Sequence, residues 1–145
     1  MIWGRANQTS NGLQNSGAIG SAQVSESSFN FGTISMKDGL VDHIFKITNS
    51  TDQDIFVKEI YTSCMCTGAY IEKTDREKGP FGMKGMGYLP PANEIIKVGE
   101  SLNIKVVYDP NAHGPAGIGT IDRLIYLTDA SGGELQLEIE AVVTP

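Results

Sequence analysis

From Phe29 onward, apolar residues recur at every second position in short runs. Phe29 and Phe31 alternate before Gly32, and Val41, His43, Phe45 and Ile47 alternate against Asp42, Ile44, Lys46 and Thr48. Ile55 to Thr62 and Thr120 to Thr128 form further runs, and Leu102, Ile104, Val106 and Tyr108 share one side of a fifth. The last run is the most regular, with Leu135, Leu137, Ile139, Ala141 and Val143 set against Glu134, Gln136, Glu138 and Glu140. A period of two places successive side chains on opposite faces of a strand, and one polar face marks an antiparallel sheet with one side in water. Turn clusters at Asn49–Asp52 and Asp129–Gly133 separate the runs, and no stretch has a helical stripe of useful length. The pattern predicts an all-β, antiparallel two-sheet β-sandwich of about seven strands. Its expected core includes Phe31, Phe45, Ile47, Ile104, Val106, Leu137 and Ile139.

Two segments fall outside this rhythm. Residues 1–27 are rich in Ser, Asn, Gln, Gly and Ala without periodic apolar positions, so they read as a flexible tether, with residues 4–25 mobile and the sandwich occupying 28–145. Within the sandwich, residues 72–93 read as an insertion: a solvated charge run from Glu72 to Lys78, then a Gly- and Pro-rich loop around Met83 and Met86. A long irregular insertion in a compact domain is either functional or mobile.

The chain has 145 residues and a net charge of −6, which disfavours nucleic-acid binding, and contains no run of 18 apolar residues. Met1-Ile2-Trp3-Gly4 carries no apolar signal region, so the sequence reads either as cytoplasmic or as lacking its signal or anchor. No nucleophile elbow, Walker or dinucleotide pattern is present, and the expectation is that the protein is not an enzyme. The Asn-x-Ser/Thr patterns at Asn7 and Asn49 carry no weight.

The pointed chemistry is Cys64-Met65-Cys66, which holds both cysteines of the chain. On an extended segment the two thiols leave the same face. Three readings stay open: inert packing, a Cys-x-Cys disulfide that requires a sharp bend at Met65, and shared metal binding. Met83 and Met86 lie among glycines that let both sulfurs turn toward one point. The alternative is that they fill gaps beneath a loop. His113 sits in a Gly/Pro/Ala loop where the default is an idle exposed histidine, and His43 is read as a core histidine. Thiolate, thioether and imidazole suit Cu(I), so the candidate metal ligands are Cys64, Cys66, Met83, Met86 and His113. Zinc ranks second because Met is a poor zinc ligand. A Cys–His nucleophile and base is the weakest reading. A Cys-x-Cys redox pair lacks the helix N-terminus that activates Cys-x-x-Cys thiols.

The order Phe29-Asn30-Phe31-Gly32-Thr33-Ile34, His43 to Asn49, Ser63-Cys64-Met65-Cys66-Thr67, Val98-Gly99-Glu100 and Val106-Val107-Tyr108-Asp109-Pro110 resembles the bacterial domain of unknown function family DUF1573. That family looks related to immunoglobulin-like sandwiches of the major sperm protein and Hydin type. The resemblance runs from Ser28 to Pro145; Met65 stands where the family usually has Gly, and the Gly79–Gly87 loop and the Ala-His-Gly-Pro stretch depart from its pattern. It implies an immunoglobulin-like fold. Because members are typically predicted to be exported or lipid-anchored, it also implies an extracytoplasmic location, exported or membrane-anchored. The expected function is an extracytoplasmic, non-catalytic binding module that holds Cu(I) and meets a protein partner at the cell surface. The alternative is a structural or adhesive domain that pairs through a sheet edge, with no metal.

Overall fold

A computed structural model of the chain describes residues 18–83 and 90–145. Ten strands run in chain order: β1 Gln23–Val24, β2 Ser28–Ser35, β3 Val41–Thr48, β4 Ile55–Thr62, β5 Thr67–Glu72, β6 Glu77–Phe81, β7 Glu94–Ile96, β8 Ser101–Tyr108, β9 Gly119–Asp129 and β10 Glu134–Thr144. They form two five-stranded sheets, ordered β1-β3-β8-β5-β6 and β2-β10-β9-β4-β7. The two-sheet sandwich is as the alternation predicts. Three short strands, β1, β6 and β7, raise the number above seven; the first two lie in segments read as irregular. No described helix is long and apolar enough to cross a membrane.

The alternating residues meet between the sheets. Phe45 and Ile47 of β3, Ile104 and Val106 of β8, Ile125 and Leu127 of β9 and Leu137 and Ile139 of β10 are fully buried. Phe31 is only half-buried, because β2 is an edge strand, and it packs against the core from the rim. β2 also departs from the antiparallel expectation by pairing parallel to β10. Its register shifts where Asn30 and Thr33 oppose Glu140 and Val142, so β2 carries an extra residue there. Gly32 takes φ +76 at this bulge, and the Asn30 side chain accepts its N–H at 2.7 Å. The Phe-x-Phe-Gly opening thus encodes a bulge that needs a left-handed residue.

His43 lies half-buried on the inward side of β3, stacked on Phe29 and edge-on to Phe45, and its Nε2 meets Glu26. A second bulge lies in β4, where Val57 and Glu59 oppose Asp129 and Thr128. It changes the buried set from Ile55 and Val57 to Ile60 and Thr62. The Glu72–Lys78 charge run is a tight hairpin between β5 and β6, closed by the Lys73 N–H donating to the Arg76 carbonyl at 2.8 Å. Lys105 pairs with Glu72 and Glu77 across it.

The folded body begins earlier than Ser28. Residues 1–17 lie outside the described residues, but β1 pairs with β3, and Ile19 is 0% exposed. The Ile19 N–H donates to Asp129 Oδ2 at 2.9 Å, at the end of the β9–β10 hairpin. Asp129, itself buried, accepts through Oδ1 from the N–H groups of Ser131 and Gly133 and from the Ser131 hydroxyl. A Cβ on Gly133 would meet Asp129 Oδ2 at 2.7 Å, so a side chain there would displace the carboxylate that the turn is built around. Composition could not reveal this docking, because one isoleucine and one distant carboxylate carry it.

Burial alone would raise the Asp129 pKa, but the donors from Ile19, Ser131 and Gly133 outweigh it and hold the carboxyl below its ordinary value. A depressed folded-state pKa contributes stability that is present above the unfolded value, about 3.9, and is lost as pH falls through the folded one. Denaturant unfolding between about pH 4 and pH 2 should therefore show a steeper stability loss in the native chain than in Asp129→Asn. Equal slopes would refute the assignment. Ile19→Ala should cost about 2–4 kcal/mol. A change near zero would mean that this residue is not docked in solution.

Candidate functional site

The Cys-Met-Cys segment is a turn rather than an extended strand. The Thr67 N–H donates to the Cys64 carbonyl at 3.1 Å, closing a four-residue turn with Met65 at its tip, 55% exposed. The turn brings the two cysteine Cα atoms to 5.2 Å, inside the disulfide window, and the sulfurs are bonded to each other. Of the three readings of the pair, the structure shows the disulfide, and the bend at Met65 is what permits it.

Every strand end around this turn is tied. The buried Thr62 hydroxyl lies 2.9 Å from both the Cys64 and the Thr67 carbonyl oxygens. The Ser63 N–H donates to the Leu124 carbonyl at 2.9 Å, and the Asp109 N–H donates to the Cys66 carbonyl at 2.9 Å. The turn is thereby pinned to β9 on one side and to the end of β8 on the other.

The Asp-Pro-Asn-Ala-His-Gly stretch after β8 carries His113 to the sulfurs. Asp109 Oδ1 accepts the Asn111 N–H at 2.9 Å, an Asx turn, and the Asn111 side chain donates to the Met36 carbonyl at 2.9 Å. So folded, the loop places the exposed His113 with Nε2 3.1 Å from Cys64 Sγ. Arg123 on β9 approaches from the other side, its Nε donating to Cys66 Sγ at 3.2 Å, while the Thr67 hydroxyl lies 3.4 Å from the same sulfur. The two sulfurs therefore differ: Cys64 is half-buried beside an imidazole, and Cys66 is 3% exposed beside a guanidinium.

One ligand atom each from Cys64, Cys66 and His113 lie within 4.8 Å of one another. Met83 forms an isolated bridge with Thr62 and lines a cavity of about 380 Å³ together with Met65, Cys66, Tyr70, Pro80 and Val107. Met86 lies outside the described residues. Sequence reasoning missed Arg123, whose only local signal is that it is the one cation in the Thr120–Thr128 run. Asp122, Glu138 and Glu140 also converge within 4.8 Å, on the polar side of β9 and β10. There the hydrogen bond to Asp122 is the first cause of a raised Glu138 pKa, so the trio is a crowd of like charges.

Residues 22–83 match the family described as protein of unknown function, DUF1573, the one that the Phe-x-Phe-Gly and Ser-Cys-x-Cys-Thr motifs resemble. The matched segment includes both cysteines and ends before His113 and Arg123. No curated protein matches the chain. A protein of unknown function from Porphyromonas gingivalis W83 is similar in structure, with a TM-score of 0.60 and 13% identity, covering 94% of this chain and 53% of its own. The secreted serine protease VesC from Vibrio cholerae gives a TM-score of 0.49 at 12% identity, over 80% of this chain and 22% of its own. The periplasmic chaperone SfaE gives 0.45 at 8%, over 86% and 58%. The chain thus spans about half, or less, of the first two solved proteins, and the first likeness concerns fold alone.

A bridge that closes a three-residue ring removes roughly 1.6 kcal/mol of unfolded-chain entropy, against about 3 for a fifteen-residue loop. It is a weak staple for a sandwich already hydrogen-bonded on every side of the turn. Without reductant the protein should show no free thiol, and Cys64→Ala with Cys66→Ala should lower stability by no more than about 2 kcal/mol. A much larger loss in denaturant unfolding would make the bridge structural.

Proposed function

We propose that the chain is a non-catalytic binding module outside the cytoplasmic membrane which, once its disulfide is reduced, holds one Cu(I) ion through Cys64, Cys66 and His113. The observation that carries this reading is the convergence of those three ligand atoms within 4.8 Å. Thiolate and imidazole donors suit Cu(I), and a thioether at the rim, Met83, favours it over zinc. Two thiolates around Cu(I) leave one net negative charge, and the Arg123 guanidinium beside Cys66 complements it from outside the coordination sphere. The disulfide supports the extracytoplasmic placement, since such bonds persist in oxidising compartments. It also makes the site conditional, because bonded sulfurs lack the free thiolates that bind metal.

Reduced protein titrated anaerobically against a Cu(I) chelator should take up about one equivalent, and oxidised protein none. The ion should stabilise the fold by about 4 kcal/mol when free metal is a thousandfold above its dissociation constant. His113→Ala should weaken uptake by at least about the tenfold that losing an outer-shell partner of a ligand costs, and Met83→Leu less. Reduced protein that takes up no Cu(I) would end this reading and leave the structural or adhesive alternative.

A further inference from the structure

The disulfide is asymmetric in exposure and in charge, and both asymmetries point the same way. We infer that the Cys64–Cys66 bridge is a stoichiometric oxidant of cysteine-bearing polypeptides, with Cys64 the sulfur attacked and Cys66 the sulfur that leaves. This does not depend on metal uptake.

An incoming thiolate reaches the half-buried Cys64 at the rim more readily than Cys66, which is 3% exposed. The departing sulfur gains negative charge, and at Cys66 that charge forms 3.2 Å from Arg123 Nε, on a side chain that never loses its proton, with the Thr67 hydroxyl at 3.4 Å. Cys64 has no guanidinium; its polar neighbours are the exposed His113 imidazole, Nε2 at 3.1 Å, and the Cys66 backbone N–H at 3.3 Å, neither of which carries a fixed full charge. Stabilising the product thiolate favours the reduced form, the property that makes a disulfide an oxidant rather than a staple. The cavity beside Cys66, lined by Met65, Tyr70, Pro80, Met83 and Val107, gives the residues flanking a substrate cysteine an adaptable apolar seat.

The exchange balances as follows. A substrate thiolate attacks Cys64 Sγ, the Cys64–Cys66 bond breaks, and its electron pair leaves on Cys66 as a thiolate beside Arg123. A second substrate thiolate attacks the substrate sulfur of this mixed disulfide. Cys64 then departs as a thiolate and takes up a proton from water. One substrate dithiol becomes a disulfide, and one bridge becomes two reduced cysteines; the two protons the substrate gives up equal those that the reduced pair takes up when both thiols are protonated.

Oxidised full-length chain, held metal-free by a chelator, would be mixed with glutathione or with a synthetic peptide carrying a Cys-x-x-Cys dithiol. The reaction would be quenched with N-ethylmaleimide and mapped by mass spectrometry. The expected result is a thiol adduct on Cys64 with the alkyl group on Cys66, and faster reduction by the peptide than by glutathione at equal thiol concentration. Arg123→Gln should slow reduction by about tenfold or more, the order expected for a charge-assisted contact, and Arg123→Lys should restore most of it. An adduct on Cys66 or on both sulfurs equally, or Arg123→Gln reacting within about twofold of the native chain, would overturn the inference. If Arg123→Gln fails to fold, the adduct position in the native chain decides alone. Exchange with these features in a chain that takes up no Cu(I) would support this inference and end only the metal reading.

Discussion

Between Val57 and Glu59, one residue of β4 has no partner on β9, and the side of the strand that faces the core changes there. Lys58, the extra residue, accepts instead from the Ala92 N–H at 2.9 Å. Without this bulge the inward set begun by Ile55 and Val57 would continue to Glu59 and Tyr61, and Thr62 would face water. With it, Ile60 and Thr62 are buried, and the Thr62 hydroxyl comes within reach of the turn that holds the cysteines. The placement of the sulfurs depends on this one slip in phase, since nothing in Cys64-Met65-Cys66 itself requires a turn.

Much of the sandwich was legible because period-two alternation is local. β10 could be read residue by residue, and Leu137 and Ile139 are buried as its pattern demands. What could not be read depends on partners far apart in the chain. The docking of Ile19 requires Asp129, 110 positions away, and the short β1 is a strand only because β3 offers it an edge. The parallel pairing of β2 with β10 leaves no mark in either sequence.

The site divides in the same way. Cys64, Cys66 and His113, singled out by residue type, are brought together by the fold. That the cysteine segment bends was not legible, because a strand-like run precedes it and the turn is fixed by Thr62, Ser63 and Asp109 through hydrogen bonds to separate strands. Arg123 was invisible for a related reason. It reaches Cys66 only because the Ser63–Leu124 hydrogen bonds set the register of β9 against the turn. The electrostatic difference between the two sulfurs is thus a property of the sheet, and the Cys-x-Cys motif alone does not contain it.

The Ile19–Asp129 contact also gives the molecule a direction. Arg123 marks the sulfur end of β9, and Asp129 is six residues further along the same strand, about 20 Å at the rise of an antiparallel strand. The polypeptide enters the sandwich at that far end, clamped to the hairpin by a buried side chain and a backbone N–H. A pull applied at Ala18 would therefore meet the β9–β10 hairpin first. The disulfide is set well away from that point.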